Sequence, residues 1–111
     1  MYPELKPLYR GTTPTYTFKL PDSVDISQAS DVYVTFTDTN KKVIFTKSGS
    51  DLNIGPHTVS VFLTQEETFS FPDYVLFQLN WIYEEDGETK RACTKEGSIE
   101  TKPNLLNEVL E

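Results

Sequence analysis

Tyr74-Val75-Leu76-Phe77-Gln78-Leu79-Asn80-Trp81-Ile82-Tyr83 is the stretch that decides the fold. Val75, Phe77, Leu79, Trp81 and Tyr83 recur at every second position, the period of a β-strand rather than of a helix. Tyr74, Leu76 and Ile82 add apolar groups to the opposite face. A strand apolar on both sides is central to a sheet and covered twice, by a second sheet and by a loop or partner. Trp81 is its largest core plug, and Tyr74, Leu76 and Ile82 are candidates for an association surface. The run is too short to cross a bilayer, which takes ~20 apolar residues.

The same alternation recurs outward from this strand. Tyr16, Phe18 and Leu20 are separated by Thr17 and Lys19; Val32, Val34 and Phe36 by Tyr33 and Thr35; Val59, Val61 and Leu63 by Ser60 and Phe62. Val, Ile, Thr and the aromatics supply 41 of the 111 residues and alanine only two, a balance that favours pleated surfaces over helices. Thr39-Asn40-Lys41 reads as a hairpin turn into Val43-Ile44-Phe45, and Asp86-Gly87 as a turn into a final strand over residues 91–100. A short Leu52-Asn53-Ile54 segment lies between Ser48-Gly49-Ser50-Asp51 and Gly55-Pro56. Pro14, Pro21, Pro56, Pro72 and Pro103 fall at or outside strand ends, as residues lacking an N–H donor must.

The expected architecture is therefore all-β: a sandwich of six to seven short antiparallel strands in a single domain over residues 1–111. Thr64-Gln65-Glu66-Glu67 has capping-box spacing and predicts one helical turn near residues 64–69, pinned by Phe69 and Phe71. An N-terminal arm (residues 1–9) and a C-terminal stub (residues 104–111) flank the sandwich. In the stub Leu105, Leu106, Val109 and Leu110 share one helical face, and eight residues are too few for a free helix, so the stub docks or frays.

Charge and chemistry exclude several functions. Ten basic against seventeen acidic residues give a net charge of −7, and the pI is near 4.6, which disfavours phosphate neutralisation on nucleic acid and binding to anionic membranes. A single cysteine, Cys93, precludes an internal disulfide and a multi-thiolate zinc site. The one histidine, His57, follows Gly55-Pro56 in a turn and reads as a solvated loop residue. Cys93, beside Ala92, reads as a small, partly buried filler. No phosphate loop, metal-ligand histidine pair or nucleophile elbow occurs, so a non-enzymatic protein without a cofactor is expected. No charged segment followed by an apolar one opens the chain as a secretory leader would.

Two binding chemistries stand as alternatives. Glu84, Glu85, Asp86 and Glu88 place four carboxylates around one turn, the ligand type calcium takes, although without EF-hand spacing. Tyr2, Tyr9, Tyr33 and Tyr74 are candidates for a carbohydrate-stacking platform.

The opening Arg10-Gly11-Thr12-Thr13-Pro14-Thr15-Tyr16-Thr17-Phe18, with Asp31-Val32-Tyr33-Val34-Thr35-Phe36, Leu63-Thr64-Gln65-Glu66-Glu67-Thr68 and the Asp86-Gly87 hairpin, resembles a family of small prophage proteins of Gram-positive bacteria. That family is related to the N-terminal domain of the phage upper baseplate protein. The resemblance implies an immunoglobulin-like sandwich that works without catalysis in tail or baseplate assembly. Its partners would be other phage structural proteins or a second copy of the chain, not nucleic acid or membrane. Its location would be the virion, or the bacterial cytoplasm during assembly. Longer members continue into extended segments carrying receptor-binding modules, whereas this sequence ends at Glu111, so a compact component is expected. The contacting residues expected from the chain ends are Tyr2, Leu5, Leu8 and Tyr9 in the arm and Leu105, Leu106, Val109 and Leu110 in the stub. Both are apolar segments where an unpartnered chain stays mobile.

Overall fold

The computed structural model describes residues 7–106 and 108–110. Nine strands occur among the described residues: β1 (Leu8–Tyr9), β2 (Thr15–Lys19), β3 (Asp31–Thr37), β4 (Val43–Ser48), β5 (Leu52–Ile54), β6 (Thr58–Phe62), β7 (Tyr74–Glu85), β8 (Glu88–Cys93) and β9 (Gly97–Lys102). A six-stranded sheet runs β1-β9-β7-β3-β4, with β8 also on β7, and a three-stranded sheet runs β2-β6-β5. No helix among the described residues is long and apolar enough to cross a membrane.

This order is that of an immunoglobulin-like sandwich. The first full strand, β2, pairs with β6, the strand before the helical turn, and β7 lies between β3 on one edge and β8 and β9 on the other. Val32, Val34, Phe36, Val75, Phe77, Leu79, Trp81 and Ile99 face inward from the large sheet and meet Tyr16, Phe18, Val59 and Val61 of the small one. Phe18 and Phe77 touch across the layers with ring centroids 5.0 Å apart. Phe36, Phe45 and Phe71 form a second aromatic cluster at 5.1–5.6 Å. Burial raises the Tyr16 phenol to about 12, so it stays neutral in the core.

Two strands exceed the seven expected. Leu8–Tyr9 forms β1, which runs parallel to β9, so the sandwich is not wholly antiparallel. The strand expected over residues 91–100 is divided in two by a bulge. Both halves pair with the same edge of β7, because β3 occupies the other edge over residues 76–82. Between the pairs Asn80↔Cys93 and Phe77↔Gly97, β7 has two residues and its partner three, Thr94, Lys95 and Glu96. One extra residue is the definition of a β-bulge. Thr94 repairs the interrupted ladder: its N–H donates to the Leu79 carbonyl (3.0 Å), and its hydroxyl accepts from the Leu79 N–H (3.2 Å).

The helical turn is α1, Gln65–Phe69, with both capping-box bonds present. The Thr64 hydroxyl accepts from the Glu67 N–H, and Glu67 Oε1 accepts from the Thr64 N–H at 2.9 Å. The residues 10–14 that open the chain's first bend dock on this turn. Gly11 has φ +81° and lies against the Phe69 ring, where a Cβ would come within 2.4 Å of Cζ. Its N–H donates to the Thr68 hydroxyl (2.9 Å), which donates in turn to the Thr12 carbonyl (2.9 Å). Thr68 is fully buried, so this small network closes one end of the sandwich.

Candidate functional site

The described parts of the arm and the stub lie together at the α1 end of the sandwich. In the arm, Leu8 is a core residue, 4% exposed, and not a contact for a partner: pairing of β1 with β9 turns it inward. Tyr9 points out and is half exposed. Arg10 fastens this segment, donating its N–H to the Lys102 carbonyl (2.9 Å), its Nε to the Phe71 carbonyl (2.8 Å) and its Nη2 to Asp73 Oδ1 (2.8 Å). Tyr2 and Leu5 lie outside the described residues.

The described part of residues 104–111 contains no helix, so the single apolar helical face expected there does not form. Two side chains take the main-chain groups a helix would have used. Asn104 Oδ1 accepts from the Leu106 N–H (3.0 Å), a local bond that competes with helical turns, and Asn104 Nδ2 donates to the Arg10 carbonyl (3.0 Å). The Gln65 amide takes both main-chain groups of Leu110: Oε1 accepts from the N–H at 2.7 Å, and Nε2 donates to the carbonyl. The segment is thus tied down through its backbone while its side chains face solvent. Leu105 is fully exposed, and Leu106, Val109 and Leu110 are about half exposed.

The second feature is the outer face of the large sheet. Two adjoining hollows of about 370 and 360 Å³ lie on it and share Thr35, Thr46, Asn80 and Arg91. Leu76 and Ile82, candidates for an association surface, are half-buried in the walls of these hollows, while Tyr74 is half exposed further along β7. Arg91 is held by two bonds to Asn80 Oδ1, from Nε (3.1 Å) and Nη2 (3.0 Å). Lys41 Nζ meets Glu96 Oε1 at 3.2 Å, and Glu96 Oε2 is buried with no hydrogen-bond partner among the described residues. The residues of this face come from β3, β4, β7, β8, a turn and a bulge. Only the polar Gln78 and Asn80 within an apolar strand hint at it in the sequence.

The tyrosines proposed as one stacking platform are dispersed. Tyr33 pairs with Asn80 on β7, six positions from Tyr74, which is roughly 20 Å along a strand. Tyr2 is outside the described residues. His57 is half-buried rather than solvated, with Nδ1 2.6 Å from the Val24 carbonyl, and so ties the β5–β6 turn to the loop before β3. Cys93 is exposed and not a core filler, because its register opposite Asn80 turns it to the outer face. At the Asp86-Gly87 turn, Glu85 pairs with Lys90 at 3.0 Å, and among the described residues no three His, Cys, Asp or Glu side chains gather as a metal site would require.

One ion pair couples the large sheet to α1. Lys47 of β4 turns inward opposite Val34 and meets Glu67 Oε2 at 2.8 Å. Burial raises the Glu67 carboxyl, but the Lys47 ammonium and the Thr64 donors outweigh it and hold the group below its ordinary range. No protein-family model matches the chain, and no curated protein is detectably similar to it.

Proposed function

We propose that this chain is a non-enzymatic structural or assembly module of a phage or prophage tail or baseplate, acting through protein–protein contacts made by its terminal segments. The observation that carries the contact reading is the backbone-anchored C-terminal segment. Four large aliphatic side chains, Leu105, Leu106, Val109 and Leu110, stand out from a chain path fixed by Asn104 and Gln65. Full burial of such a side chain is worth about 1.5–3 kcal/mol, so covering the four would supply several kcal/mol to an association. Because the backbone is already held, a partner covering them meets less of the ordering cost that a free tail would impose. The tail and baseplate assignment draws on the likeness of residues 10–18 and 63–68 to the upper baseplate family. In the fold those two segments pack together through Gly11 and Thr68.

The experiment replaces the native gene in an inducible prophage with a tagged full-length chain or one lacking residues 105–111, which spares Asn104. Both versions are expected to fold with similar melting temperatures, and the truncated one to enter particles at least tenfold less. Equal incorporation would refute the contact role of the segment, and an unfolded truncation would make it part of the core. Leu105→Ser with Leu110→Ser, which leaves the backbone anchors in place, gives the same readout without a deletion.

A further inference from the structure

At the end of the sandwich away from α1, β7 outruns its neighbours. Its last residues, 83–85, lie beyond the pairing with β3, which ends at Ile82, and only β8 accompanies them. Trp81 and Ala92 are partners across these two strands, and Tyr83 follows Trp81 on the same inward face. The loop between β2 and β3 stands opposite, and a hollow of about 350 Å³ opens between loop and hairpin. That loop is held at several points. The Leu20 N–H donates to the His57 carbonyl (2.8 Å), the Ile26 N–H to the Pro56 carbonyl (2.9 Å) and the Ser30 N–H to the Ile82 carbonyl (2.7 Å). Asp25 Oδ1 accepts from the Ser27 N–H (3.1 Å) and caps the 3-10 turn Ile26–Gln28, while Oδ2 has no partner among the described residues. Both walls of the hollow are therefore in place before anything binds.

The lining defines the occupant. Trp81 belongs to the core, and Tyr83, Val24 and Ala29 pack against it, so floor and walls are largely apolar. The charged groups at the rim are Asp25 and Glu84, both exposed carboxylates, and no cation lines the hollow among the described residues. The two segments that form it, residues 21–30 and 83–90, carry six carboxylates and one basic side chain, Lys90, which Glu85 already holds at 3.0 Å. Trp81 is nine-tenths buried, yet its indole N–H has no acceptor among the described residues. That N–H is not sealed from water either, so it reaches solvent through the hollow that Trp81 lines. We propose that this hollow binds an arginine side chain carried on an extended segment of a partner protein. A guanidinium is attracted to aromatic faces and pairs with carboxylates through its planar fork, while its aliphatic stem covers apolar walls. The main-chain carbonyls beside an arginine supply the acceptor that the Trp81 N–H lacks. An anion would meet Asp25 and Glu84 without a counter-charge, and a neutral ligand would draw nothing from the negative field of the two segments. A metal ion would find no third ligand, since no three His, Cys, Asp or Glu side chains gather among the described residues. The hollow lies at the far end of β7 from the terminal segments and does not rest on the tail or baseplate reading.

The test follows Trp81, the single tryptophan, whose indole ¹H–¹⁵N signal reports on the hollow without ambiguity. The full ¹⁵N-labelled chain is titrated with a blocked hexapeptide of alternating arginine and glycine, with its lysine and glutamate counterparts, and with cellotriose. The arginine peptide should shift the indole signal and the amides of Val24, Gln28, Ala29 and Tyr83 saturably. An open hollow implies a dissociation constant of about 0.1–1 mM. The lysine peptide should bind more weakly by about threefold or more, and the glutamate peptide and cellotriose should not bind. Asp25→Asn, which keeps a capping oxygen, and Glu84→Gln should each weaken the arginine peptide about two- to fivefold. Glu66→Gln on α1, beyond the other end of β7, should leave its binding unchanged. No saturable shift of the indole signal overturns the proposal. So do equal losses from Glu66→Gln and Glu84→Gln, which would mean diffuse charge attraction, equal binding of the lysine peptide, or tighter binding of cellotriose or the glutamate peptide than of the arginine one.

Discussion

Gly97→Ala adds a single methyl group, and the fold has no room for it. Gly97 opens β9 directly opposite Phe77, and a Cβ at this position would lie 2.1 Å from Cζ and 2.3 Å from Cε2 of the Phe77 ring. Carbon atoms in contact sit about 3.5–4.0 Å apart, so the ring must retreat by more than an ångström. Phe77 cannot retreat freely, since it is 5% exposed and packed on Phe18 of the other sheet. Overpacking of this kind costs roughly 1–3 kcal/mol, and the lost contact between the sheets places this site in the upper half of that range. An unfolding entropy of about 2.1 cal/mol/K per residue makes each kcal/mol worth roughly 4 °C here, so the melting temperature should fall by about 8–13 °C. Calorimetry and urea unfolding measure it, and Phe77→Leu supplies the control. With the smaller side chain in place, Gly97→Ala should cost at least about 1 kcal/mol less than it does alone. A Gly97→Ala protein within about 0.5 kcal/mol of the parent, or strict additivity with Phe77→Leu, would refute the packing argument.

Thr68→Val keeps shape but removes the hydroxyl that links Gly11 and Thr12, taking the partner from a partly buried N–H and C=O; a loss of about 1–2 kcal/mol by urea unfolding is expected. Glu67 has its carboxyl held below the ordinary 4.5, so the stability it contributes is present above that pH and lost as the pH falls through the folded-state value. Melting curves from neutral pH down through this window should therefore show a shallower acid loss for Glu67→Gln, which retains a capping oxygen but not the charge facing Lys47, than for the parent; parallel curves would contradict the assignment.

What the sequence could and could not convey follows from the range of each interaction. Period-two runs located β2, β3, β6 and β7, because side-chain alternation is local and one buried face imposes it. The Thr64/Glu67 box was equally legible, since both of its bonds close within four residues. β1 was not, because a two-residue strand carries no period, and only its pairing with β9, over ninety residues away, makes Leu8 a core residue. The bulge at Thr94, Lys95 and Glu96 was hidden for a related reason: it exists only in the register between two strands. With it went the convergence of Glu96, Lys41 and Arg91. Among the terminal residues, the apolar character of Leu105, Leu106, Val109 and Leu110 could be read directly. The helix drawn through them could not form against the competing bonds from Asn104 and Gln65.

The most direct test of the proposed role is to induce the prophages of the strain that encodes this chain, band the particles on a density gradient and quantify the protein across the fractions by mass spectrometry. A virion component should co-migrate with tails at a fixed ratio to the other structural proteins. Absence from intact particles, with the protein confined to the soluble fractions, would contradict a place in the tail or baseplate.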